Sequence, residues 1–303
     1  MPKYDLLWKV ILEYTIKDFL TFFFPASKDI FDYNKEPIFL DKELQQIFQP
    51  EGDQYNPNFV DKLVKMPTLD GEDQWILVHI EVQGTPEKLF ERRMFRYFSR
   101  IFDKYDKQIT AFAILTDNDP KFNPTKYENE FLGTSLSYQF NSLKVLDQSI
   151  DELKKNSNPF ACVLLAVLAA IKGIEQGANF TFQFKKELFF EFEERELDNV
   201  KKKAILAFLD YYVNIESDEL ERKFYNEVKK SKANYMNIDE VIKDFELERL
   251  KDRLRLEERE KATIEAKKEV VKNLLISNKL SISEISTVTG TSENFVLKVK
   301  NEL

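Results

Sequence analysis

One cysteine and one histidine are all that a chain of 303 residues offers to soft-metal or thiol chemistry. With Cys162 alone, no disulfide can form within the chain. A His/Cys zinc centre cannot be assembled from a single chain either, because it needs several such ligands together. Any metal held here has to be a hard cation on carboxylates. Cys162 itself lies in the apolar run FACVLLAVLAAI, residues 160–171, and reads as a core residue.

Glycine and proline are also scarce, at seven and ten residues. That leaves little room for long flexible linkers and predicts a helix-dominated chain. Long apolar runs are missing as well. Residues 160–171 are too few to cross a bilayer and read as a buried helix. The opening MPKYDLLWKV lacks the organisation of a secretory signal. An intracellular, cytoplasmic and reducing location is therefore expected, with no membrane partner and no small-molecule organic cofactor.

What is present describes a soluble globular protein. Hydrophobic residues make up 43% and charged residues 32%. The 27 phenylalanines promise much of the core area. The net charge of −8 means that nucleic acid could be bound only through a local basic patch.

The first half alternates between helix and strand periods. Residues 4–24 carry Leu6, Leu7, Val10, Ile11 and Tyr14 at helical spacing, ended by Pro25. A short helix is expected around 42–48 and a turn at Asn56-Pro57-Asn58. Residues 59–66 and 75–83 read as two strands of a looped hairpin. Residues 86–106 are helical, with Phe90, Met94, Tyr97, Phe98, Ile101 and Tyr105 as the apolar stripe. A strand follows over 108–116, so this helix reads as a crossover connection. Residues 135–147 predict one more strand or a broken pair.

From about residue 150 the pattern is helical. The domains expected are 1–150 (α/β, with the sheet near its middle), 151–245 (all-helical), 246–275 (a long charged helix) and 276–303 (a small helix-turn-helix-like unit). The charged helix reads as a solvated helix laced with i,i+4 pairs or as a short coiled coil, which admits a homodimer. In the last unit Ile282, Ile285 and Val288 fit one helix, Gly290 breaks it, and Phe295, Val296 and Val299 fit a second. Its charges are mixed, so a plain packing module fits at least as well as a reader of DNA.

The strand WILVHIEVQ holds the chemistry. Alternation puts Ile76, Val78, Ile80 and Val82 on one face, and Trp75, Leu77, His79, Glu81 and Gln83 on the other. Asp61 on the preceding strand can lie near Glu81 if the two pair as a hairpin. Two close carboxylates in an apolar setting resist ionisation, and a divalent cation between them reverses that penalty. Mg²⁺ suits such a site, with Mn²⁺ as a substitute and the Val82 carbonyl as a further ligand. The ordinary alternative is a solvent-facing strand edge. His79 reads either as a general base or as a hydrogen-bonded, partly buried side chain. On the next helix, Arg92, Arg96 and Arg100 recur every four residues away from the apolar stripe, and Arg93 and Tyr97 border both faces. A strip of this kind suits a polyanionic backbone, or is simply a solvated face.

Asp61, HIEVQG, ERRMFRYFSRIFDKY and ITAFAILTD together resemble the recombination-promoting nuclease/transposase-type family of the PD-(D/E)XK nuclease superfamily. The opening YDLLWKVI is similar to that family's first helix, with Asp5 and Lys9 four residues apart. The resemblance spans roughly the first half, and the helical second half is similar in outline. It implies a restriction-endonuclease-like core, a mixed sheet flanked by helices, and Mg²⁺-dependent cleavage of DNA. It matches Asp61 to the motif's first acid and Glu81 to its second, both as metal ligands. Gln83 stands where the superfamily motif has lysine, as this family commonly shows. A neutral amide can orient water or bind metal but cannot supply charge. Of the nearby cations, Lys62 falls on the opposite face from Asp61, Lys65 is a second candidate, and Arg93 with Tyr97 fits best. Arg92, Arg96, Arg100 and Lys9 are the expected phosphate contacts. The competing expectation is a catalytically inactive nuclease-like module that binds DNA or protein, which the acidic net charge and Gln83 favour.

Overall fold

The computed structural model describes residues 3–40, 59–71, 73–81, 89–230, 265–277 and 280–301. The chain forms two compact units, Met1–Val241 and Ile242–Leu303. The expected short helix at 42–48, the turn at 56–58 and most of the charged helix fall outside the described residues. The protein is mixed α/β, with a helical C-terminal region.

The first unit begins with α1 (Lys3–Phe23). Its apolar stripe Leu7, Trp8, Val10, Ile11, Leu12, Ile16, Phe19 and Leu20 is buried, and the 3₁₀ turn at Pro25–Asp29 follows it. Among the described residues the main sheet has five strands: β1 (Ile38–Phe39), β2 (Phe59–Pro67), β3 (Asp73–Glu81), β4 (Ile109–Leu115) and β7 (Asn141–Lys144). Its spatial order is β1-β2-β3-β4-β7. β2 and β3 form the expected antiparallel hairpin, with Leu63 opposite Leu77 and Pro67 opposite Asp73. Helix α2 (Phe90–Tyr105) then carries the chain over to β4, which is parallel to β3. β7 is parallel to β4.

Alternation along β4 sets the layers. Ala111, Ala113 and Leu115 pack with Phe90, Met94, Tyr97 and Ile101 of α2. Phe112 points the other way, and its ring lies 5.1 Å from Phe19 and 5.3 Å from Phe23 of α1. The sheet is thus covered on both faces. Each fully buried ring of this size contributes roughly 1.5–3 kcal/mol.

Between β4 and β7 the chain inserts a separate hairpin, β5 (Lys126–Phe131) and β6 (Thr134–Gln139). Only the second of these strands overlaps a segment that the sequence pattern predicts as strand. β5 reads KYENEF and is mostly exposed, so it shows no apolar alternation. What holds it is Tyr127, stacked on Phe95 at 5.4 Å. Leu132 and Gly133 turn this hairpin with φ of 45° and 83°, the left-handed pair that a two-residue turn between twisted strands requires.

The helices that follow are α3 (Ile150–Lys155), α4 (Pro159–Gln176), α5 (Ala178–Glu194), α6 (Asn199–Tyr212) and α7 (Asp218–Lys230). Side-chain caps start four of them: Ser149 for α3, Asn158 with Pro159 for α4, Asp198 for α6 and Ser217 for α7. By length and composition α4 is apolar enough to cross a membrane, longer than the apolar run alone suggests. Here Phe160–Ala169 are all buried. α4 and α5 approach closely at Gly173, where a Cβ would sit 2.5 Å from Thr181 Oγ1. These helices share their core with the strand-bearing half. Trp8 meets Phe208 at 5.4 Å, and Phe19 meets Phe160 at 5.2 Å.

The second unit has a helical run over 265–277, then α8 (Ile282–Thr289) and α9 (Glu293–Asn301). Its core is Val271, Ile285, Val296 and Val299. Ser281 and Glu284 form a reciprocal capping box, and Gly290 ends α8 in the left-handed region with φ 58°. The two expected helices are there, and Ile282, Ile285 and Val288 all lie in the first. Val288 is 68% exposed and contributes nothing to that core.

Candidate functional site

The β2–β3 ladder places the two acids. Asp61 is paired in register with His79, and Phe59 with Glu81. Positions two apart share a face, so Asp61 and Glu81 occupy diagonal positions on one face of the sheet. Diagonal neighbours of this kind are about 7–8 Å apart, within reach of long side chains. Leu63, on that same face of β2, packs into the α2 core, so the acids are on the side of the sheet that α2 covers.

The ladder continues across the parallel strands. His79 is in register with Ala113, and Ala113 with Ser142. Glu81 is in register with Leu115, and Leu115 with Lys144. Glu81, Leu115 and Lys144 therefore mark the carboxyl ends of β3, β4 and β7 on one row. In open α/β sheets that end is where ligands are held. Val82 and Gln83 lie outside the described residues.

Lys62 confirms the alternation from the opposite side. It is fully buried, pairs with Glu13 of α1, and lies 4.9 Å from the centre of the Phe39 ring. It belongs to the α1 face and cannot serve an acid on the α2 face. Lys65 is half-buried and stands opposite Trp75 near the far end of the hairpin. Lys9 is only 7% exposed, so α1 does not present it to an external phosphate.

On α2 the expected division of faces is observed. Phe90, Met94, Tyr97 and Ile101 are buried. Arg92, Arg96 and Arg100 are exposed. Arg93 is half-buried, with its guanidinium 5.4 Å from the centre of the Phe90 ring.

Two further charged groups lie at this end of the sheet. Lys144 makes a buried ion pair with Asp117, two residues past Leu115, and both side chains are only 1% exposed. Asp117 Oδ1 also accepts from the Asp119 backbone N–H at 3.0 Å. Lys144 lies 5.9 Å from the Phe122 ring, which meets Phe90 at 5.8 Å. The pair thus shares the aromatic cluster that holds the start of α2. The sequence signal for it was an acid directly after a buried strand in ITAFAILTD. Its partner, 27 positions on, becomes visible only once β4 and β7 are paired.

Carboxylates are the residue type that a hard divalent cation takes. Among the described side chains, which do not include those of Asp61 and Glu81, no group of three or more His, Cys, Asp or Glu side chains converges. Comparison with family models, with curated proteins and with solved structures finds no match to this chain.

Proposed function

We propose that this chain is a Mg²⁺-dependent DNA endonuclease of the type associated with recombination or mobile elements, with a restriction-endonuclease-like core. The observation that carries this reading is the register that puts Asp61 and Glu81 on one face at neighbouring strand positions. A mixed sheet with helices on both faces supports the core assignment, as does the exposed arginine strip on α2.

In this reading Asp61 and Glu81, with the Val82 carbonyl, hold the cation. A bound Mg²⁺ supplies Lewis acidity toward a phosphodiester oxygen and lowers the pKa of the attacking water. Gln83 orients that water through its amide and takes up no proton. Arg93, anchored over Phe90 beside Tyr97, steadies the phosphate or the acids. Arg92, Arg96 and Arg100 provide the local positive surface that a chain of net charge −8 needs in order to approach DNA. A homodimer would supply two such sites for cutting both strands.

Nicking of supercoiled plasmid in Mg²⁺ tests the proposal. The wild-type chain is expected to cut, and Asp61→Ala or Glu81→Ala to abolish cutting. Activity that survives either change rejects the assignment. The alternative is a nuclease-like module that binds without cutting, which the neutral Gln83 favours. Calorimetry with Mg²⁺ or Mn²⁺ separates the two, since an inert descendant shows no binding that depends on Asp61.

A further inference from the structure

A cleft of about 540 Å³ opens in the first unit between α1, the segment after the 3₁₀ turn, the β2–β3 turn and the first turn of α6. Sites for small molecules typically measure roughly 300–1,000 Å³. Leu69, in the turn between β2 and β3, lines the cleft, whereas Glu81 stands at the other end of β3. At ~3.3 Å per residue, the length of that strand puts about 26 Å between the two ends. The cleft is therefore separate from the two acids.

Its aromatic wall is fastened in place. The Asp32 N–H donates to the Pro67 carbonyl and the Leu69 N–H to the Ile30 carbonyl, both at 2.9 Å. Phe31 forms a β-bridge with Thr68 between them. Tyr33 is held by its hydroxyl, 2.8 Å from Ser27 Oγ, and its ring meets that of Phe31 edge-on with centroids 6.3 Å apart. A wall tied down in this way needs no reordering to receive a ligand.

The charges of the lining do not balance. Asp18 is matched by Lys201 at 2.6 Å, and Asp32 by Lys35 at 3.3 Å. Two lysines of the cleft remain, Lys17 and Lys28. Lys17 lies 3.0 Å from Glu36, but that acid is 86% exposed, and a pair so open to solvent is weak and screened by salt. Lys28, in the last turn of the 3₁₀ helix, is exposed. Two ammonium groups that an incoming anion can claim thus share a cleft with Phe31 and Leu69. Lysine binds phosphate as a point charge, and a flat apolar ring suits an aromatic wall.

We infer that this cleft binds a small organic phosphate of the nucleoside monophosphate class, with the phosphate met by Lys17 and Lys28 and the base laid against Phe31 and Leu69. The inference stands independently of the nuclease reading. Inorganic phosphate lacks the ring and a nucleoside lacks the charge, so each satisfies only half of the site.

Calorimetry on the full chain tests it, with AMP, GMP, CMP and UMP as probes and with adenosine and inorganic phosphate as the two half-ligands. At least one monophosphate is expected to bind, and both half-ligands to bind at least ~10-fold more weakly. The double variant Lys17→Gln with Lys28→Gln is expected to lower monophosphate affinity roughly 10- to 100-fold, as loss of hydrogen bonds to a charged group does, and to leave adenosine unchanged. Phe31→Leu is expected to weaken the monophosphate and adenosine but not inorganic phosphate. Circular dichroism melts verify that each variant is folded, and both lysines lie at the surface, where such changes hardly alter stability. Failure of all four monophosphates to bind overturns the inference, as does unchanged affinity in the folded double-lysine variant. Inorganic phosphate binding as tightly as the monophosphates also overturns it, because the aromatic wall would then contribute nothing.

Discussion

Lys185 and Asp210 meet inside the helical half of the first unit, joining α5 to α6. The ammonium donates to the Asp210 backbone oxygen at 2.7 Å and lies 2.9 Å from its carboxylate. Both side chains are almost fully buried, and the ammonium sits 4.6 Å from the Phe224 ring of α7. One pair thereby ties three helices together. Removing one partner leaves the other charge stranded, so Lys185→Met is expected to cost about 3–5 kcal/mol in urea unfolding. The double change Lys185→Met with Asp210→Leu removes both charges and is expected to recover most of that loss. A double variant as unstable as the single one would show that packing, and not the unpaired charge, sets the cost.

The arginine strip on α2 makes a prediction about salt. If Arg92, Arg96 and Arg100 meet phosphates, replacing all three by alanine lowers DNA affinity at every sequence tested. It also flattens the dependence of log K on log salt, by about 0.9 for each duplex phosphate that is no longer neutralised. All three are exposed, so melting temperature should hardly move. Fluorescence anisotropy with a labelled duplex at several salt concentrations reads both quantities. An unchanged slope would return the strip to an ordinary solvated face.

Cys162 should be inert. It is fully buried in α4, and burial pushes its thiol up to about 12. The nucleophile is the thiolate, so both access and ionisation oppose reaction. A disulfide reagent at pH 8 is expected to leave the native chain unmodified and to label one thiol once denaturant is added. Prompt labelling of native protein would mean that α4 opens far more readily than its packing implies.

Much of the strand-bearing half could be read from periodicity. β2, β3, α2 and β4 start and stop close to where alternation and helical spacing put them. That Lys62 lies on the opposite face from Asp61 follows from period two, whereas the shared face of positions 61 and 81 needed the register of the hairpin. What needed coordinates was pairing between distant segments. His79 stands directly across from Asp61 because of the register, and register depends on the turn between the strands. The Asp117–Lys144 pair exists only because β7 returns parallel to β4. β5 was hidden by its polarity, and the burial of Lys9 was not legible because helical spacing does not say which turn of α1 lies against a neighbour.

Asp18 offers a pH test of the contact between α1 and α6. Lys201 lies 2.6 Å from its carboxylate, yet burial is the larger influence and raises Asp18 above the ordinary 3.8, with Asp198 adding to the rise. A group that holds its proton more tightly in the folded chain stabilises the fold at low pH. Between 3.8 and its raised folded value, Asp18 keeps its proton in the folded chain after losing it in the unfolded one. Its contribution to stability is therefore full below 3.8 and is lost as pH climbs through the folded value. Asp18→Asn holds no titrating proton, so it lacks this loss. Thermal melts of both proteins at half-unit steps from about pH 3.5 to about 6.5 should show the wild type losing ground to Asp18→Asn as pH rises. If the wild type instead gains on the variant over that range, the Lys201 pair outweighs desolvation, and the carboxylate is better accommodated than its burial suggests.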